Sequence, residues 1–155
     1  MKQLTIGVVL LVVGILTGCQ LIGGGDSPLS GNQPPEVYVK ISNEKHPTML
    51  GTYCWSGECV DTVGPVELLK GQAPLPVQPG EPITLGMNFS PKPNELHLLQ
   101  IKDGKETEVD IANNRFTAPT EPGVYYYSYG VWWMDAEEEN VAHGDAFYAF
   151  AVEVE

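Results

Sequence analysis

The chain has 155 residues and a formal net charge of −12, with 20 acidic residues against 8 basic ones. A surplus of that sign disfavours nucleic acid and anionic lipid surfaces as direct partners. The length allows one domain with a real core, and 17 glycines with 13 prolines favour many short elements broken by turns.

Lys2 is the only charge before Asp26. An apolar run from Leu4 to Leu16 follows it, shorter than the roughly 20 residues a spanning helix needs, and its length suits an export signal. The run ends in Leu16-Thr17-Gly18-Cys19. This quartet resembles the lipobox of bacterial prolipoproteins: an aliphatic residue, two small ones, then a cysteine. The resemblance covers the first 19 residues. It implies a signal peptide at 1–18, cleavage before Cys19, and a lipid on Cys19 that holds the chain to the extracytoplasmic face of a membrane. A plain signal-cleavage site beside a chance cysteine is the competing reading. Gln20 in place of Asp gives no inner-membrane retention signal, which leans toward a Gram-positive cell surface. Loss of the signal removes Lys2 alone among the charged residues, so the net charge goes from −12 to −13. Residues 19–34 are rich in Gly, Ser, Pro and Asn without periodicity, and read as a flexible tether spanning roughly 20 Å.

Beyond the tether the chain reads as β. Glu36 to Ser42 alternates and is β-branched, which marks a strand. "HPTML" and "GTYCWSGECVD" then form a second strand and a hairpin. Ser56-Gly57 suits a two-residue turn. Trp55 and Glu58 would then be a hydrogen-bonded pair, and Cys54 would face Cys59 in a non-hydrogen-bonded pair, where side chains approach most closely. An exported thiol pair there is expected to oxidise. The competing uses are weaker. A zinc site would need more than His46 nearby, and the Cys-x-x-Cys spacing of redox motifs is missing.

A proline-rich passage follows, in which "GPVELLK" at 64–70 allows one helical turn and Pro79-Gly80 a reverse turn. Strands are expected at Ile83–Phe89, with uncertain register near Leu85, and at Glu95–Ile101. "KDGK" makes a hairpin loop into "ETEVDI", and Asn113-Asn114 turns into "RFTAP". The last strands are the aromatic run from Gly123 and the segment Ala146–Val154. In "EPGVYYYSYG" an acid, a glycine and a tyrosine two positions on open a strand. This resembles the tyrosine corner of immunoglobulin-like domains, and "PVQPGEPITL" is similar to the early strand entry of bacterial modules of that kind. The resemblance implies an all-β fold, an immunoglobulin-like antiparallel β-sandwich over 63–155. Residues 35–62 would add an N-terminal disulfide-stapled hairpin, giving a single domain at 35–155.

The residues offer no catalytic motif. There is no Gly-x-Ser-x-Gly and no phosphate-binding loop, and His46, His97 and His143 are scattered. The expectation is a protein that is not an enzyme and carries no cofactor. "MDAEEENVAHGD" is the one oxygen-rich loop. Asp135, Glu137, Glu139 and Asp145 are candidate cation ligands suited to Ca²⁺, although a charge run of this kind is usually solvated and the calcium-loop pattern is missing.

Side chains alternate along a strand. Tyr125, Tyr127, Tyr129, Val131 and Trp133 are uniformly large and should face the core, as should Tyr148, Phe150, Val152 and Val154. One antiparallel register then opposes Trp133 to Tyr148, Val131 to Phe150 and Tyr129 to Val152. It leaves Trp132, Met134 and Phe147 on the outer face as a candidate binding patch. A bulge at Gly130 would exchange Trp132 and Trp133, and the 35–62 hairpin with Trp55 is a candidate cover. The functional expectation is a lipid-anchored binding module of the bacterial cell envelope, holding an envelope protein or peptide. The alternative is an accessory lipoprotein binding a small ligand or Ca²⁺ through the 135–145 loop.

Overall fold

A computed structural model describes residues 29–155. Cys19, the expected signal peptide and most of the expected tether lie outside the described residues.

Eleven strands and one helical turn follow each other: β1 Val37–Ile41, β2 Glu44–Pro47, β3 Met49–Trp55, β4 Glu58–Val60, α1 Pro65–Leu68, β5 Leu75–Val77, β6 Pro82–Met87, β7 Glu95–Lys102, β8 Lys105–Glu108, β9 Arg115–Thr117, β10 Gly123–Met134 and β11 Ala142–Val154. They form two sheets. The smaller runs β2-β1-β6-β9 and the larger β4-β3-β11-β10-β7-β8, with β5 added to β11 in parallel. All other pairings are antiparallel.

The short hairpins follow directly from their turn residues. Ser42-Asn43, Ser56-Gly57, Asp103-Gly104 and Asn113-Asn114 all take positive φ at both positions, the conformation whose twist matches a two-residue hairpin loop. In the β3–β4 hairpin Trp55 pairs with Glu58 and Cys54 with Cys59. The cysteines are joined, with Cα atoms 4.1 Å apart, so the expected disulfide is present. The helical turn at 65–68 also forms, opened by Pro65, whose missing N–H costs nothing at that position.

The core lies between the sheets and is filled by alternate residues. Val37, Val39 and Ile41 from β1 and Ile83, Leu85 and Met87 from β6 face Tyr125, Tyr127, Tyr129, Val131 and Trp133 of β10 and Tyr148, Phe150, Val152 and Val154 of β11. Alternation in β6 runs through Leu85 without a slip. The tyrosine hydroxyls are satisfied at the edges: Tyr125 donates to the Glu121 carbonyl (2.8 Å), Tyr127 to Gln100 Oε1 (2.9 Å) and Tyr148 to the Pro35 carbonyl (2.6 Å). The first of these is the backbone bond expected of a tyrosine corner.

Four expectations are corrected. Residues 35–62 are not an appendage: β1 pairs with β6 in one sheet and β3 with β11 in the other. The chain crosses between sheets at Thr48, whose N–H and hydroxyl both bond the Val37 carbonyl. The expected tether does not reach to residue 34, because Leu29 is 5% exposed and packs in the core. The β10–β11 register opposes Tyr129 to Tyr148, Tyr127 to Phe150 and Tyr125 to Val152, an even offset from the expected pairing that leaves each side chain on its expected face. The irregularity in β10 falls between Trp133 and Met134, not at Gly130, so Trp133 is buried and Trp132 half-buried.

Candidate functional site

Trp55 is no cover for the outer aromatics. It is 1% exposed inside the sandwich, edge-on to Trp133 with centroids 4.9 Å apart and to Phe89 at 5.6 Å. Its indole N–H donates to the Gly31 carbonyl, and that of Trp133 to the Pro91 carbonyl. Leu29 meets Trp55 across Gly144, where a β-carbon would come within 2.8 Å of both side chains. This end of the core is therefore closed by residues 29–31.

The outer face of the larger sheet is organised around Gly130. The backbone register sets His97, Gly130 and Phe147 in one row across β7, β10 and β11. With no side chain at Gly130, the Trp132 indole folds back over it. A β-carbon there would lie 2.5 Å from the indole Cη2 and 2.9 Å from Phe147 Cε1. Trp132 consequently sits edge-on to Phe147 on one side (5.2 Å) and to His97 on the other (5.4 Å). Aromatic contacts of this kind contribute about 0.5–1.5 kcal/mol each beyond burial.

Beyond Phe147 the band continues into an apolar groove of about 270 Å³, walled by Pro65 and Leu68 of the α1 segment, by Val63, and by Ser128 and Ala149 on the sheet. Val63, one of its walls, is 55% exposed. The α1 segment covers only the lower part of the face, where Leu68 and Leu69 pack on Met49, Tyr126, Ala149 and Ala151.

Carboxylates border this band. Glu95 lies opposite Trp132, and Glu108 and Glu106 stand on β8 opposite Leu99 and Ile101. His97 links two of them, Nδ1 to Glu108 (3.0 Å) and Nε2 to Glu95 (3.2 Å). Those bonds, Glu108 first, raise its pKa above 6.5 against an opposing desolvation. Asp145 lies between Trp132 on β10 and Cys54 on β3. Desolvation there raises its carboxyl, offset in part by a backbone bond at Cys54, and it has no salt-bridge partner among the described residues.

No family model, curated protein or solved structure matches the chain. The site therefore has to be read from its own chemistry.

Of the expected patch, Trp132 and Phe147 are brought together. Met134 is not part of that pair. It follows the register shift, its backbone is held by the Asn94 side chain, and it lines a recess at the closed end with Leu29, Trp133 and His143. The expected cation set does not converge either. Among the described residues no three His, Cys, Asp or Glu side chains are placed to hold a metal. Asp135 spends one carboxylate oxygen on the N–H groups of Glu137 and Glu138 and the other on His143 Nε2 at 2.9 Å. Its pKa falls, mainly through the two backbone bonds. Glu137 and Glu139 are exposed in the loop, and Asp145 belongs to the β11 face. Asp135 thus holds the turn, and the other three acids do not join it there.

The sequence reading missed three contributors. The His97 bridge was legible in principle, because the Asp103-Gly104 loop fixes Lys102 against Lys105 and so brings Glu108 level with Leu99. Nothing local announced the groove, since its walls come from 63–68 and from β11. Nor did the composition of 29–34 single out Leu29 as a core residue.

Proposed function

We propose that the protein is a lipid-anchored binding module of the bacterial cell envelope, non-enzymatic, built on an immunoglobulin-like sandwich and presenting the outer face of β7-β10-β11 to a protein or peptide. The observation that carries the binding reading is the Trp132–Phe147 pair, folded over Gly130 and opening into an uncovered apolar groove. A large indole left half-buried on a sheet face, continued through Phe147 into a groove with exposed Val63 on its wall, has the composition of a binding patch.

The immunoglobulin-like reading rests on two supports. Tyr125 bonds back to the Glu121 carbonyl from the start of β10. The strand order also sets β1-β6-β9 against β8-β7-β10-β11, with β5 parallel to β11. The anchor rests on the Leu16-Thr17-Gly18-Cys19 quartet. Its expected lipid would keep the domain within about 35 Å of the membrane, the fully extended reach of the ten residues before Leu29.

Cells expressing the full chain should incorporate an alkyne-tagged fatty acid into it and retain it in the membrane fraction, and Cys19→Ser should abolish both. Detergent extracts should yield a partner that co-purifies with the wild type and is lost in Trp132→Ala while the fold survives. An unlabelled, soluble chain would overturn the anchor; a partner indifferent to Trp132→Ala would overturn the site.

A further inference from the structure

Resting on that binding reading, we infer that the partner is a basic peptide segment: an aliphatic residue enters the groove beside Phe147, and a flanking Lys or Arg crosses Trp132 to reach Asp145. Three features specify this occupant. The groove is apolar and narrow, walled by Val63, Pro65, Leu68 and Ala149, so it takes a side chain rather than a helix. The strand positions of that face carry Glu95, Glu106, Glu108, Asp145 and Glu153 and no Lys or Arg, because Lys102 turns to the Tyr125 hydroxyl on the opposite side. Asp145 is half-buried, without a salt-bridge partner among the described residues, two residues along the same face from Phe147 and directly across from Trp132.

A long basic side chain answers all of these together. Its aliphatic stem covers the indole, its charge interacts with the ring, and its head reaches the carboxylate. An acidic or neutral peptide would desolvate Asp145 further and leave it with only the backbone bond at Cys54. Complementarity of this sign also speeds association, at a rate that falls with salt. Glu95 and Glu108 are partly committed to His97, and of the remaining carboxylates on these strands Asp145 is the one paired directly with Trp132 and two residues from Phe147.

The test is a titration of the ¹⁵N-labelled full chain in non-ionic detergent with acetyl-Lys-Leu-Lys-amide, compared with the Lys-Ser-Lys and Glu-Leu-Glu peptides. Only Lys-Leu-Lys should move the Trp132 indole resonance saturably. Those of Trp55 and Trp133, bonded inside the core, should stay in place and report an intact fold. Asp145→Asn should weaken binding about tenfold, and Phe147→Ala should reduce the advantage of Leu over Ser. Equal response to Glu-Leu-Glu, or no effect of Asp145→Asn, overturns the inference. If no peptide moves Trp132 while an envelope partner is still lost in Trp132→Ala, the basic class is wrong and the binding reading stands. If Trp132→Ala also leaves partner capture unchanged, both fall.

Discussion

Replacing Gly130 with alanine removes no side chain from the outer face, yet it should dismantle the face. Gly130 has no positive φ, so alanine meets no backbone obstacle there, and a Gly→Ala change would ordinarily stabilise by about 0.4–1 kcal/mol through the unfolded chain. Here the new methyl would sit 2.5 Å from Trp132 Cη2 and 2.9 Å from Phe147 Cε1. Both rings are half-buried and have solvent to swing into, so the overlap is relieved by their moving away rather than by opening the sheet. The cost is then the two edge-on contacts of Trp132, with Phe147 and with His97, about 1–3 kcal/mol together. The net expectation is a loss of about 1 kcal/mol, with an unchanged urea m-value, a red-shifted tryptophan emission and loss of partner binding. Stability equal to or above wild type, with unshifted emission, would refute the placement of Trp132 over Gly130.

Other consequences follow from the core and the edges. Leu29→Ala should destabilise by about 2–4 kcal/mol in urea unfolding, as for a buried leucine; an effect below 0.5 kcal/mol, roughly the surface limit, would return residues 29–34 to the tether. Removing the disulfide with Cys54→Ala and Cys59→Ala should cost about 2 kcal/mol, the low value expected of so short a loop, and a neutral result would mean the β3–β4 hairpin adds nothing to the fold. Because the folded His97 pKa is raised, its contribution is fully present below pH 6.5 and is lost as pH rises through the folded value. The ring should titrate above 6.5 by NMR and fall back toward 6.5 in Glu108→Gln; a midpoint indifferent to that change would contradict the bridge.

Which features could be read from the sequence follows from how far each reaches along the chain. The Cys54–Cys59 hairpin was legible because a two-residue turn fixes its register locally. Facing was legible in β10 and β11 because strand alternation is local too: with no bulge at Gly130, burial of Tyr125 entails burial of Trp133. Register was not, since parity fixes pairing only up to even shifts. The observed choice is associated with long-range packing, including Tyr127 stacked on Phe150 at 4.9 Å and Gly144 admitting Trp55 and Leu29. The same limit explains why 35–62 was read as an appendage. Its hairpins are local, but the pairing of β1 with β6 and of β3 with β11 joins residues far apart in sequence. The acidic loop misled for another reason. Composition counts oxygens, whereas the structure commits those of Asp135 to its own backbone and to His143.

The most direct test of the binding surface is photocrosslinking in living cells. A benzophenone amino acid at position 147 of the full chain places the reactive group at the mouth of the groove, with the same group at exposed Glu44, on the other sheet, as the reference. The account predicts a discrete crosslinked species in the membrane fraction from position 147, absent from position 44 and suppressed by Asp145→Asn. Equal crosslinking from both positions, or none from 147, would contradict it.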